Sequence, residues 1–291
     1  MVTGSNIKAT LSHIDPHLDL NKSASCHLSI QVSLDGFSFA LLNIRAQKYI
    51  AIEYYDIQNC STYTEVAEQI DRIIGKQELL QQDFASVSAS INNSLSTLIP
   101  KALYKEGNGK DILEFNQALL QNEEESKDWL ASIQAYNSYV IPQELERCFN
   151  KHFPNHSCKH HSSVFIESLL HQFKLQEGCK IYLSVQNKNF EIAVLEGRKL
   201  KFYNGYSYRS AEDLIYYLLF ACEQLGLNPD KIPLVISGEL EEESEVYKFL
   251  YRYIRNISFI KRNPNYQYSF VLDEVKEHYY YKLLNLHLCA S

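Results

Sequence analysis

Cys26-His-Leu-Ser-Ile-Gln-Val-Ser-Leu-Asp-Gly-Phe-Ser-Phe-Ala-Leu-Leu-Asn-Ile-Arg-Ala-Gln-Lys48 reads as two alternating apolar runs around an Asp-Gly turn, and the same pattern returns 153 residues later at Cys179–Lys201. Alternation over His27–Ser33 and Phe37–Leu42 marks β-strands. Asp35-Gly36 between them marks a hairpin, because a type I′ turn needs positive φ at both central residues. Laid over each other without a gap, the two stretches share Cys26/Cys179, Val32/Val185, Phe37/Phe190, Ala40/Ala193, Leu42/Leu195, Arg45/Arg198 and Lys48/Lys201, seven of 23 positions. Apolar character also agrees at Leu28/Ile181, Ile30/Leu183, Phe39/Ile192 and Leu41/Val194. The expectation is an internal duplication.

Each copy continues in the same order. After the first hairpin, Tyr49–Tyr55 reads as a third strand. Thr64–Gln82 reads as a helix, with Val66, Ile70, Ile73 and Ile74 at helical spacing, and Asp83–Ser90 as a fourth strand. In the second copy, strands are expected over Lys180–Val185, Phe190–Leu195 and Leu200–Asn204. A helix follows over Ser210–Leu225, with Ser210 as N-cap and Gly226 at its end. Ile232–Ile236 is a strand leading into the Ser237-Gly238 turn. Glu241–Ile254, acidic at its start and closing near Arg252 and Arg255, suits a helix dipole. Ser258–Lys261 reads as a last strand and Glu274–Leu288 as a Tyr-rich C-terminal helix. Between the copies, Leu98–Leu103 starts a helix or turn, Asp111–Gln121 is helical, and Glu123–Glu125 is an acidic turn. Trp129–Val140 forms strands, and Pro142–His152 and Ser163–Phe173 form helices. This organisation predicts an α/β protein of two lobes, residues 1–140 and 141–291, each a mixed sheet with helices packed on it.

Composition narrows the function classes. The 291 residues are 45% apolar and 22% charged, enough for large cores. A net charge of −7 gives no long-range attraction for nucleic acid or anionic membrane. The longest apolar run, Leu214–Cys222, is far short of a membrane span, and Met1–Leu11 has no signal-peptide core. Seven cysteines without a CxxC pair read as reduced thiols of a cytoplasmic protein, Cys26 and Cys179 being buried at the starts of their strands.

The order hairpin, third strand, helix, strand, helix, given twice, resembles the plan of the actin-like ATPase superfamily on the ribonuclease H-like fold. Its members include actin, sugar kinases, heat-shock chaperones and pilus and division proteins. More closely, Leu34-Asp-Gly-Phe-Ser-Phe39, Thr97-Leu-Ile-Pro-Lys-Ala-Leu103, Val235-Ile-Ser-Gly-Glu-Leu240 and Leu250-Tyr-Arg-Tyr-Ile-Arg-Asn256 resemble an uncharacterised bacterial family with that fold. In active superfamily members each lobe offers a phosphate hairpin with an acidic residue, and an adenosine motif of small residues ends a strand. The resemblance therefore implies Asp35, Gly36, Ser237 and Gly238 as the nucleotide-binding positions, should a nucleotide bind. The corresponding hairpin of the second copy, Gln186-Asn187-Lys188-Asn189, has Lys188 in place of Asp35 and carries no carboxylate to hold Mg²⁺.

Other constellations read as scaffold. His152, His156, Cys158, His160 and His161 crowd into ten residues, but without a second ligand pair they are expected to be a polar surface loop that holds no metal. Gly107-Asn108-Gly109-Lys110 lacks the hydroxyl residue and upstream glycine of a phosphate loop. The resulting expectation is a non-catalytic interaction or scaffold protein on a degenerate actin-like ATPase fold. It has a protein partner, no nucleic-acid or membrane partner, no catalytic residues and no resident cofactor. The alternative is an ATP–Mg-dependent ATPase or switch with an atypical site in the inter-lobe cleft. A ribonuclease H-like nuclease would need several clustered carboxylates, and the first strands supply only Asp35.

Overall fold

The computed structural model describes residues 8–57, 60–116 and 124–289. The chain divides into two compact units. Unit one holds residues up to Val164 together with Pro264–Glu274 and those from Lys282 onward, and unit two holds Phe165–Asn263 and Val275–Tyr281. The division thus falls after Val164 rather than after residue 140, and the C-terminal segment serves both units.

Unit one runs β1 (Leu11–Ile14), β2 (Cys26–Val32), β3 (Gly36–Asn43), β4 (Lys48–Asp56), α1 (Tyr63–Lys76), β5 (Ser86–Ile91), β6 (Ser96–Pro100), α2 (Gly109–Asn116), β7 (Glu124–Leu130), β8 (Ala135–Ile141), α3 (Gln143–His152) and β9 (Ser157–His160). The helix α4 (His161–Phe173) carries the chain across the division. Unit two runs β10 (Cys179–Val185), β11 (Asn189–Glu196), β12 (Lys199–Ser207), α5 (Ala211–Gln224), β13 (Pro233–Gly238), α6 (Glu245–Tyr253) and β14 (Asn256–Phe259). A short β15 (Gln267–Tyr268) returns to unit one and pairs with β4.

The duplication is visible strand by strand. Unit one contains the path β4-β3-β2-β5-β9, and unit two the path β12-β11-β10-β13-β14. In both, two antiparallel ladders are followed by two parallel ones. Ladder β3–β4 shifts register between Leu41 and Leu42, and ladder β11–β12 between Val194 and Leu195, the same place 153 residues on. The gapless alignment holds only to the end of the second strand. Asn43 pairs with Lys48 and Glu196 with Lys199, so the second loop is two residues shorter. Lys48 therefore matches Lys199, and the Arg45/Arg198 and Lys48/Lys201 identities are not structural equivalents.

The helices follow the same plan. Thr62 and Glu65 form a capping box on α1, as Ser210 and Asp213 do on α5. The α5 helix ends at Gly226, whose φ of +64° suits a residue without Cβ. In unit one Leu28, Ile30, Phe37 and Phe39 pack with Val66 and Ile70 of α1 and with Leu145 and Phe149 of α3. In unit two Ile181, Leu183, Phe190 and Ile192 pack with Leu214 and Leu218 of α5 and Leu250 of α6. Removing the Thr62 hydroxyl is expected to cost about 1 kcal/mol. Thr62→Ala should lower the melting temperature by about 2–4 °C, and an unchanged melt would show that the box contributes nothing.

Several expectations give way. Neither Leu34 nor Asp35 has positive φ, so the hairpin is closed without a type I′ turn. Gly36 is instead the first strand residue, where an added Cβ would meet the Tyr54 ring at 2.7 Å. Leu98–Leu103 starts no helix: Ser96–Pro100 forms β6, which with β8 and β7 makes a separate three-stranded sheet inserted between β5 and α3, and the turn alternative holds only for residues 101–103, where Leu103 N–H donates to Pro100 O at 2.8 Å. Glu124 and Glu125 begin β7 rather than a turn, while Glu123 and residues 117–121 of the expected helix lie outside the described residues. The stretch His152–His161 is not a surface loop. Its last residues form β9, paired in parallel with β5. Glu274–Leu288 is not an α-helix but turns followed by a 3₁₀ segment over Leu283–Cys289, with Tyr280 at φ +53°. Cys26 is buried and Cys179 only half-buried, and none of the seven cysteines forms a disulfide.

Candidate functional site

The two hairpin turns are built alike. Ser33 N–H donates to Gly36 O at 2.9 Å, and Gln186 N–H to Asn189 O at 2.8 Å. Ile57 N–H reaches Asp35 O at 3.0 Å, and Tyr208 N–H reaches Lys188 O at 3.0 Å. Asp35 and Lys188 thus occupy the same place in their units. The Asp35 carboxylate accepts from Ser33 Oγ at 2.7 Å, inside its own turn.

Ser237 and Gly238 end β13, where the parallel strands of an α/β sheet commonly receive ligands. Gly238 has φ +90°, and a Cβ there would lie 2.1 Å from Val185 O. The Ser237 hydroxyl turns back to Leu183 O at 3.5 Å. The strand end is covered by the chain itself. Gly238 N–H donates to His278 O at 2.8 Å, and His278 Nε2 donates to Leu240 O at 2.9 Å. The His278 ring stacks on Phe259 at 4.1 Å, and burial pushes its pKa down. Lys276 and Tyr279 both bind Glu241, and Arg262 holds Val275 O at 2.6 Å.

The matching strand end in unit one is a buried polar cluster. Asn92 N–H donates to Val32 O at 2.7 Å, as Glu239 N–H does to Val185 O at 2.8 Å. The Asn93 carbonyl then accepts from His160 Nε2 at 3.1 Å and His161 Nε2 at 2.9 Å. A carbonyl only accepts, so each Nε2 carries a proton. Nδ1 of His161 faces Lys282 Nζ at 3.2 Å, and Nδ1 of His160 faces Ser162 Oγ at 2.6 Å. Asn137 of β8 donates to Ser162 and Ser163 Oγ at 2.9 and 2.8 Å. Asp128 of β7 takes the His160 N–H at 2.9 Å, and burial raises its pKa. These side chains tie the inserted sheet to the end of β9. Sequence reasoning placed the histidines at the surface, because the parallel pairing of β9 with β5 that buries His160 has no local signal.

Two further constellations lie in unit one. A cavity of about 270 Å³ is lined by Ser12, Glu53, Tyr55, Lys76 and Gln77 among others. The Glu53 carboxylate within it is held by Ser12, Tyr55 and Gln77 at 2.5, 2.8 and 2.6 Å. Between α1 and α3, one ligating atom each from Asp71, Cys148 and His152 lies within 4.8 Å of the other two. His152 Nε2 and Lys151 Nζ each contact Asp71 Oδ1 at 2.6 Å, which holds the Asp71 pKa down. Burial pushes the Cys148 thiol up to about 11.

The duplicated five-stranded unit, present twice with the same strand order, defines an actin-like ATPase fold built from ribonuclease H-like lobes. The chain belongs to the family described as "Protein of unknown function (DUF3822)", whose profile matches residues 15–257. Comparison with curated proteins gives no match. Among solved structures, a Bacteroides thetaiotaomicron VPI-5482 protein of actin-like ATPase fold and unknown function is 23% identical, with a TM-score of 0.76 over 88% of this chain and 97% of its own. The PilM–PilN type IV pilus biogenesis complex provides a 9% identical chain, TM-score 0.61, over 91% and 98%. Ethanolamine utilization protein EutJ of Carboxydothermus hydrogenoformans is 8% identical, TM-score 0.50, over 95% and 92%. Among the described residues no helix is long and apolar enough to cross a membrane.

Proposed function

We propose that the protein is a non-catalytic interaction module, an actin-like fold that binds a protein partner rather than turning over ATP. The observation that carries this reading is the covered end of β13, where His278 occupies the Gly238 N–H and its own side chain is bound to Leu240. Phosphoryl transfer needs Mg²⁺ and free amides or cations around the phosphates as charge develops. In unit two the Gly238 and Glu239 amides are engaged, and Lys188 stands where a metal-holding carboxylate would be needed. Asp35 is bound within its turn. The likeness to a chain of a pilus biogenesis complex adds support for a protein-binding role, and seven cysteines outside any disulfide for a cytoplasmic one.

The test is a thermal-shift series with Mg-ATP, Mg-ADP and Mg-GTP, with phosphate release measured in parallel. A ligand at a hundred times its dissociation constant adds ~2.7 kcal/mol, several degrees at this size. Shifts below about 1 °C and no phosphate release are expected. A shift of several degrees, or turnover that Asp35→Asn abolishes, would instead establish a nucleotide-binding switch.

A further inference from the structure

We infer that Asp71, Cys148 and His152 form a zinc site between α1 and α3. Cys148 and His152 are four residues apart on α3, so their side chains leave one face one above the other. Asp71 projects from the facing helix α1. The three ligating atoms already lie within 4.8 Å of one another. Zinc bonds of about 2.0–2.3 Å in a tetrahedron need ligand separations of about 3.3–3.6 Å. The His152–Asp71 contact opens from 2.6 Å and the remaining distances close by about 1 Å, within side-chain rotation. Thiolate, imidazole and carboxylate together suit zinc, with water in the fourth position.

An ion pair between the helices would explain Asp71, Lys151 and His152, but not the thiol. Cys148 is buried among apolar side chains, its Sγ bonds Ala67 O of α1 at a long 3.7 Å, and it also faces the Asp71 carboxylate and His152 ring within 4.8 Å. Lys151 is a competitor for Asp71 Oδ1 and must release it when zinc binds. On binding, the Cys148 thiol loses its proton to solvent and the sulfur becomes the thiolate ligand. Of the residues in the His152–His161 stretch, only His152 takes part, so the site escapes a reading by local spacing.

The test uses the whole chain, produced without a histidine tag, stripped with chelator and titrated with zinc chloride and separately with cobalt chloride. One metal per chain is expected, with a thiolate-to-cobalt charge-transfer absorption. Cys148→Ser should abolish that absorption. His152→Gln and Asp71→Asn, whose side chains are partly exposed and whose loss spares the core, should weaken zinc binding about a hundredfold or more. Lys151→Ala should tighten it about two- to fivefold, the scale of an exposed ion pair. His156→Ala should leave it unchanged. No stoichiometric binding, or binding that survives Cys148→Ser and His152→Gln at the same affinity, would overturn the assignment.

Discussion

Replacing Gly238 by valine is expected to cost about 3 kcal/mol or more, a fall in melting temperature of roughly 6–12 °C. Two effects act at the same atom. The backbone holds φ at +90°, which L side chains rarely adopt, and the new Cβ would sit 2.1 Å from the Val185 carbonyl oxygen. That oxygen belongs to the central strand β10, which is fixed by ladders on both sides and accepts the Glu239 N–H at 2.8 Å. The strand has no direction in which to yield, and moving Gly238 would break its bond to His278 O. Gly226 is the control, since it also has positive φ but no atom within 4 Å of an added Cβ. Gly226→Ala should cost about 1–2 kcal/mol for the left-handed backbone alone. Equal melts for Gly226→Ala and Gly238→Val would mean that the close approach to Val185 contributes nothing.

Acid is expected to destabilise the protein between pH 6.5 and 3 through histidines buried in the neutral form. His27 is fully buried, its Nδ1 bonds Ser86 Oγ at 2.8 Å, and its Nε2 has no hydrogen-bond partner. Its ring meets His287 edge-on at 4.7 Å. Burial, reinforced by His287, pushes the His27 pKa down to about 3, and burial lowers those of His287 and His278 as well. The unfolded chain takes up these protons near pH 6.5, whereas the folded chain refuses them until much lower pH. The stability is therefore complete above pH 6.5 and is lost as pH falls through 6.5 towards 3. At ~1.4 kcal/mol per pH unit, His27 alone accounts for about 2 kcal/mol at pH 5. Asp128, whose pKa burial raises, acts in the opposite sense, so the comparison is between wild type and His27→Leu. The difference in urea-unfolding free energy between pH 7.5 and 5.0 should shrink by about 2 kcal/mol in the variant. An equal difference in both proteins would show that His27 is not held neutral.

The strands and the duplication were legible in the sequence because they are local. Period-two alternation in Cys26–Asn43 and Cys179–Glu196 survives as two buried ladders with a matching register shift. The Ser210 cap and Gly226 were legible for the same reason. What depended on distant partners was not. Leu98–Leu103 read as a helix or turn, yet Ser96–Pro100 is β6, paired with the distant β8, and Pro100 sits at its end, where the lost donor is tolerated. Glu274–Leu288 read as one Tyr-rich helix, but Val275–Tyr281 packs in one unit and the residues from Lys282 in the other. Each half follows its own neighbours, and Tyr280 turns left-handed between them. Of the four candidate site residues, only Asp35 lies in a turn: Gly36 begins β3, Ser237 and Gly238 end β13, and the sequence could not tell that His278 would cover Gly238. Asp71 lies 77 residues before Cys148, so only the folded helices bring them together.

The winding path of the backbone imposes an order on biosynthesis. Unit one begins at the amino end of the chain but is completed by residues from Pro264 to Glu274 and from Lys282 onward. Tyr49, buried in its sheet, donates its hydroxyl to Leu284 O at 2.7 Å, across 235 positions of sequence, and β4 gains β15 only after Gln267 has been made. At about 5–20 residues per second, the ribosome leaves that tyrosine without its acceptor for roughly 12–47 s after it emerges. The first lobe to be translated is the last to close, and unit two, formed of later residues, can be whole before it. A nascent chain halted before Pro264 would leave the Lys48–Tyr49 end of β4, beyond its pairing with β1, without β15, and this is the stretch a chaperone should be found holding.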